Sequence, residues 1–154
     1  MEKGIILDRV STPEQQRTGL SIDKIQLPLL RQYAKDKDIQ VLPKHEFVFQ
    51  ETASQKLRKK FDEMVEFIKA NPDITEVIAF RVDRMTRNYR DAVEMDSLRL
   101  EYGKKLHFLE DKLVLHKKSF GKEIKDWAVY LAKQHINNCQ EHSYNTLQSK
   151  LKNQ

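Results

Sequence analysis

Short, branched apolar runs alternate with amphipathic stretches along this chain, and that alternation constrains its fold more than any other feature. GIILDRV (Gly4–Val10), EVIAF (Glu76–Phe80) and KLHFL (Lys105–Leu109) are too short for ordinary helices and read as buried strands. IQVLPKHEFVFQE (Ile39–Glu51) holds another strand, interrupted or flanked by Pro43. Between them the spacing is helical. Ile22, Ile25, Leu29, Leu30, Tyr33 and Ala34 predict a helix over Ile22–Lys37, capped by Ser21 or Asp23. Pro28 conflicts with an early start, so the helix kinks there or begins nearby. Phe61, Met64, Val65 and Ile68 predict a second helix ending near Ala70, stopped by Asn71-Pro72-Asp73. A third is expected over Ala92–Tyr102, closed by Gly103. STPEQQRTGLS reads as a loop or brief helical turn, and TASQKL and RVDRMTRNYRD read as loops. The order predicts an α/β fold, with a mostly parallel sheet of four or five strands flanked by helices on both faces.

The last stretch behaves differently. Ser119–Gln154 contains no proline, and its only glycine is Gly121. Phe120, Ile124, Trp127 and Leu131 fall at i, i+4, i+7 and i+11, after which the stripe thins through KQHINNCQEHSYNT and resumes at Leu147 and Leu151. One long helix is the simplest reading. It is either a frayed terminus or a helix that pairs with another subunit and then meets something polar. The expected division is a core over 1–118 and this helix over 119–154.

Composition narrows the classes. Lys and Arg number 28 against 23 Asp and Glu, a formal charge of +5 that is compatible with a polyanionic partner. A single cysteine excludes a disulfide framework and a Cys-rich zinc module. No apolar run approaches the roughly 20 residues that span a bilayer, and the N-terminus lacks the pattern of a secretory signal. A soluble, cytoplasmic protein is expected. His135, Cys139 and His142 stand at i, i+4 and i+7, a ligand-like spacing without a fourth ligand, so an ordinary polar helix face is the better reading and no metal is expected.

In a parallel α/β sheet, ligands bind beyond the carboxyl ends of the strands. Arg9, Ser11 and Gln15 follow the first strand, Arg81, Asp83, Arg84 and Arg87 follow the EVIAF strand, and Arg58 opens the helix after the second. A parallel sheet would gather them on one rim. Guanidinium groups stay charged, and their forked donors match phosphate oxygens. Several around one spot would hold a phosphate and stabilise a five-coordinate phosphoryl transition state, with a serine hydroxyl as covalent nucleophile. No G-x-S-x-G elbow is present, and no histidine lies near Ser11. Each feature also has a plainer reading. Ser11-Thr12-Pro13-Glu14 fits a helix capping box, Arg87 and Asp91 a surface pair, and Arg58-Lys59-Lys60 a solvated charge run.

Taken together, DRVSTPEQ (Asp8–Gln15), GLSIDKIQ (Gly19–Gln26) and VDRMTRN (Val82–Asn88) resemble the catalytic domain of the serine recombinases, the resolvase/invertase family. Glu51-Thr52-Ala53-Ser54 and Arg58–Met64 are similar to its intervening loop and helix motif. The resemblance runs from about Gly4 to the end of the chain. It implies that Ser11 is the nucleophile that attacks a DNA phosphodiester, leaving a 5′-phosphoserine link and a free 3′-hydroxyl. By the same resemblance Arg9, Arg58, Arg84 and Arg87 surround the scissile phosphate, and Asp83 orients an arginine or handles a proton. Gln15, Gln26 and Ser54 match polar residues of the active-site shell.

The family needs neither metal nor nucleotide, so no cofactor is implied. The implied partners are double-stranded DNA and further copies of the chain, a homodimer assembling into a synaptic tetramer. Phe120, Ile124, Trp127 and Leu131 would then be the pairing stripe, and Lys133, Lys150 and Lys152 would contact phosphates. The sequence departs from the family pattern at Leu7 (a tyrosine in the family), Gln55 (a glycine) and Lys59 (a proline). Two other readings stay open: a catalytically impaired relative that dimerises and occupies DNA, and an unrelated α/β protein that binds a nucleotide phosphate. The resemblance also carries the expectation of a catalytic portion whose C-terminal DNA-binding region is absent. The eleven-residue step from Gln15 to Gln26 is similar to that of the large integrases and transposases.

Overall fold

The computed structural model describes residues 1–10, 22–50, 54–82 and 88–152; at residues 10, 22–24, 50, 54–57 and 141–152 it describes the backbone only. The chain runs β1 (Glu2–Val10), α1 (Ile22–Asp36), β2 (Ile39–Gln40), a 3₁₀ turn (Pro43–His45), β3 (Glu46–Gln50), α2 (Ser54–Ala70), β4 (Ile74–Ala79), α3 (Tyr89–Leu100), β5 (Lys105–Phe108), β6 (Leu113–Leu115) and α4 (Lys122–Lys152).

β1 is central. On one side it pairs in parallel with β4, Ile5 opposite Val77 and Leu7 opposite Ala79. On the other it pairs in parallel with β2 through Glu2 and Lys3 and with β3 through Ile6–Val10, so β2 and β3 lie end to end along one edge. β5 adds in parallel to β4, and β6 closes the far edge antiparallel to β5. The sheet is mostly parallel, as expected. It has six strands because the second expected strand is split by the turn at Pro43 and because Leu113–Leu115 adds an edge. Gly4 sits where strands crowd: a Cβ there would lie 2.8 Å from the Glu76 carbonyl oxygen and 2.9 Å from Ile39 Cγ2.

Side chains alternate across a strand, so β1 feeds two cores. Ile5 and Leu7 join Phe49, Val77, Ala79, Leu106 and Phe108 beneath α2, α3 and α4, where Phe61, Met64, Ile68, Met95, Leu98 and Trp127 are buried. Ile6 and Ile78 face the other way, toward Leu30 and Ala34 of α1. That second face also holds a polar chain. Tyr33 Oη lies 2.9 Å from His107 Nδ1, and His107 Nε2 lies 3.0 Å from Glu76 Oε1. A neutral imidazole donating from Nε2 and accepting at Nδ1 satisfies both contacts. Burial and the charge of Glu76 push the Tyr33 phenol up, which keeps it a donor.

α1 begins at Ile22 as expected despite Pro28, and the starts of α2 and α3 differ from the sequence reading. α1 runs through Pro28, which lies exposed on its outer side; only the hydrogen bond to the carbonyl one turn earlier is forgone. α2 begins at Ser54 rather than near Phe61, because its first turns consist of polar residues with good helix propensity. α3 begins at Tyr89, where the Asn88 side chain accepts from the Asp91 amide at 2.9 Å. Gly103 and Gly121 both take φ +67, one closing α3 and the other preceding α4.

Candidate active site

The carboxyl ends of β1, β3 and β4 form one rim, and local contacts fix the elements that leave it. At β3, Phe49 meets Phe61 of α2 with ring centroids 6.1 Å apart, and Lys60 Nζ donates to the Val48 carbonyl at 2.6 Å. Arg58 lies three residues before Phe61, toward the start of α2, which places it above that rim with its side chain exposed. Arg9 follows Leu7 by two residues and so leaves β1 on the face that α2 covers. Asp8 and Ile6 point to the opposite face, under α1. There Gln26 sits one turn before Leu30, 1% exposed, with no hydrogen-bond partner at Nε2 among the described residues.

β4 extends past its last ladder residue. The Leu109 and Glu110 amides donate to the Ala79 and Phe80 carbonyls at 3.0 and 2.9 Å, and the Val82 amide donates to Asp111 Oδ2 at 2.7 Å. Arg81 Nη1 lies 3.8 Å from Glu110 Oε1. The Asn88 cap fixes the chain again at α3, whose Arg90 reaches Asp62 of α2 at 2.7 Å. A cleft of about 430 Å³ opens beside Val82, lined by Arg81, Asp111, Asp126, Tyr130 and Lys133.

The structure therefore brings Arg9, Arg58 and Gln26 to one end of the sheet. Ser11, Gln15, Asp83, Arg84 and Arg87 lie outside the described residues. Ser54, Lys150 and Lys152 are described by backbone only, with Lys150 and Lys152 in the last turns of α4. Lys133 is exposed on α4, facing the cleft.

The expected pairing stripe is corrected by packing. Trp127 is 1% exposed, because its ring is held between Phe108 and Tyr130 at centroid distances of 5.9 and 5.5 Å. Ile124 and Leu131 pack against the same core. Phe120 precedes the helix and is 82% exposed. Among the described side chains of α4, the large apolar residues that face outward are Val129 and Ile136.

Two residues at the rim were not singled out from sequence. Asp8 is a buried carboxylate beside Arg9, and only the inward phase of β1, visible once Ile6 is known to be core, could have flagged it. Asp111 holds the Val82 amide and sits in the turn after β5, a segment with no sequence signal beyond its charge. Among the described residues no cluster of His, Cys, Asp or Glu could hold a metal ion. Cys139 Sγ lies 3.7 Å from His135 Nε2 on an exposed stretch of α4, and the His142 side chain is outside the described residues.

Among the described residues, Arg9 and Arg58 thus stand near the carboxyl rim of a mostly parallel sheet that is followed by one long helix. The family model "Resolvase, N terminal domain" matches residues 5–154, so the chain belongs to that family of recombinase catalytic domains. Among solved structures it is similar to a resolvase family site-specific recombinase from Streptococcus pneumoniae, with 21% identity and a TM-score of 0.68 over 99% of each chain. It is also similar to the N-terminal catalytic domain of TP901-1 integrase, with 20% identity and a TM-score of 0.60 over 94% of this chain and 99% of that one. At these identities the likeness establishes the fold. No curated relative matches the chain.

Proposed function

We propose that this chain is the catalytic domain of a site-specific DNA recombinase that cuts and rejoins DNA through Ser11. The Ser11 hydroxyl gives up its proton and its oxygen attacks the scissile phosphorus. The bond from phosphorus to the 3′-oxygen breaks, leaving a 5′-phosphoserine ester and a 3′-hydroxyl. Attack by the 3′-hydroxyl of another strand reverses the exchange, so the ester carries the bond energy and no cofactor is required. Arg9, Arg58, Arg84 and Arg87 stabilise charge on the phosphoryl oxygens, and Asp83 orients an arginine or handles a proton. Gln15, Gln26 and Ser54 complete the polar shell.

The single observation that carries this reading is the delivery of Arg9 and Arg58 to the same face of one rim, from the central strand and from the helix after its neighbour. Leu7, where the family has tyrosine, is 2% exposed within the apolar core, so this departure changes packing rather than the charge of the rim. The partners are double-stranded DNA and further copies of the chain, a dimer that assembles into a tetramer, with Val129 and Ile136 of α4 outward-facing. Lys133, and further along α4 Lys150 and Lys152, supply sequence-independent phosphate contacts. No described helix is long and apolar enough to cross a membrane, and cytoplasmic action on DNA fits this role.

The experiment is capture of a covalent adduct on synapsed DNA. The wild-type chain should yield a protein–DNA ester, and Ser11→Ala should abolish it while leaving salt-sensitive DNA binding intact. Tetramers on DNA that never form an adduct would instead support the impaired, DNA-occupying relative.

A further inference from the structure

A polar cluster at the base of α4 takes no part in the proposed chemistry. Asp96 Oδ1, on α3, accepts from Trp127 Nε1 at 2.8 Å, from Arg99 Nε at 3.0 Å and from Arg99 Nη2 at 2.8 Å. Arg99 then donates through Nη1 to the His116 carbonyl at 3.0 Å. The same carbonyl accepts from the Ser119 amide at 3.1 Å, and the His116 amide donates to Ser119 Oγ at 2.9 Å. The turn that leads into α4 is thus closed on itself and fastened to α3. Arg99 is 6% exposed, Trp127 1% and the Asp96 side chain 19%, so the inner contacts of the cluster are largely shielded from water while the His116–Ser119 turn lies at the surface.

Apolar burial is non-directional: it holds a helix face against a core without fixing the tilt or rotation of the helix. Hydrogen bonds are directional, and charge-assisted ones the more so. The geometry points to Asp96 and Arg99 as positioning residues that set the direction in which α4 leaves the core. The consequence for assembly rests on the reading of α4 as the helix through which copies pair. From Trp127 to Lys152, α4 spans about 37 Å, so a tilt of about 10° at its base moves the far end by about 6 Å. Control of that angle decides whether two copies can align.

The test uses the full chain with Asp96→Ala, Asp96→Asn and Trp127→Phe, read by amide hydrogen exchange, fluorescence and sedimentation. Trp127 is the only tryptophan, so emission reports this site alone. Asp96→Ala should speed exchange across residues 122–133 at least about tenfold and shift Trp127 emission to the red, while β1 and β4 change less than about threefold. Self-association should weaken about tenfold. Asp96→Asn, whose amide oxygen still accepts from Trp127, should recover most of both effects. Trp127→Phe keeps an aromatic ring at this buried site but loses the donor and part of the indole volume; it tests the anchor where Asp96→Ala fails to fold, and it too should loosen residues 122–133 selectively, whereas a cavity effect alone would spread to β1 and β4.

Unchanged exchange in α4 for both Asp96→Ala and Trp127→Phe would overturn the proposal. So would equal acceleration in β1 and β4, which marks general core support, or wild-type self-association by a loosened Asp96→Ala chain. A wild-type chain that never self-associates defeats the reading of α4 as the pairing helix. The anchor itself is then decided by exchange and emission.

Discussion

The two faces of the sheet are built on different terms. Beneath α2, α3 and α4 lies a continuous apolar core that runs from Ile74 at the base of β4 to Val82 near the rim. Beneath α1 the apolar cluster is small, with Ile6, Leu30, Ala34, Ile39 and Ile78 at its centre, and the Tyr33–His107–Glu76 chain shares the interior with it. Arg9 leaves β1 on the first face, which α2 with Arg58 covers, and Gln26 is buried on the second. Robust burial and adjustable polar contact are thus separated by one layer of β-strand.

The comparison can be broken most readily where burial is deepest. Met64→Ala, at a fully buried position on α2, should cost about 4 kcal/mol in chemical denaturation, whereas Leu30→Ala on α1 should cost about 2–3, since the thinner face can relax into the gap. Equal losses would mean the faces are equivalent. Next in size, His107→Ala should cost about 3 kcal/mol, because it strands a carboxylate whose side chain is 4% exposed.

Burial pushes the Glu76 carboxyl up, but the hydrogen bond from His107, with help from Thr75 and the charge of Lys105, outweighs it and holds it below the usual glutamate range. A carboxylate held low stabilises the fold above its unfolded value of about 4.3 and loses that contribution as pH falls through the lower folded value. The wild-type melting temperature should therefore fall more steeply below about pH 4.5 than that of Glu76→Gln. A parallel decline in the two would remove Glu76 from the account.

Tyr33→Phe should cost about 1 kcal/mol, the worth of one hydrogen bond, and should leave the opposite face untouched in hydrogen exchange. The smallest effect on stability, and the sharpest probe of the thin face, is Gln26→Met. Replacing a buried amide whose Nε2 has no partner among the described residues should raise stability by about 0.5–1 kcal/mol while lowering DNA cleavage at least about tenfold. A variant that gains stability and keeps full activity would exclude Gln26 from the site.

Much of this architecture was legible in residue order. The branched runs around Ile5, Ile78 and Phe108 became adjacent parallel strands, and the helical spacings around Leu30, Met64 and Leu98 became the helices that cover them. What escaped was short or polar. Leu113–Leu115 is three residues long and is a strand only because β5 offers it an edge. The first turns of α2, SQKLRKK, offer a single apolar residue, too few for periodicity to register. Pro28 was read as an obstacle, but it falls on an exposed side where the lost hydrogen bond is tolerable.

Strand order put Arg9 and Arg58 at the same end of the sheet, because Arg9 lies at the end of β1 and Arg58 lies in the helix that follows β3. The apolar spacing at the start of α4 was legible, but Trp127, read as a pairing residue, is buried in the chain's own core. Spacing reveals which residues share a face, and nothing in it distinguishes a helix's own core from a neighbouring molecule. Asp96, inside a helix with a weak apolar face, gave no sign that it would hold Trp127 and Arg99 together.

The crowding at Gly4 joins these observations. Its missing side chain lets β1 and β4 close to a gap in which even a methyl group would press on the backbone of Glu76. Glu76 touches His107, His107 touches Tyr33, and Tyr33 rides on the helix that carries Gln26 to the rim. The smallest residue in the sheet thus sets the spacing on which that polar chain is built, and alanine at position 4 would force β1 and β4 apart where the chain begins.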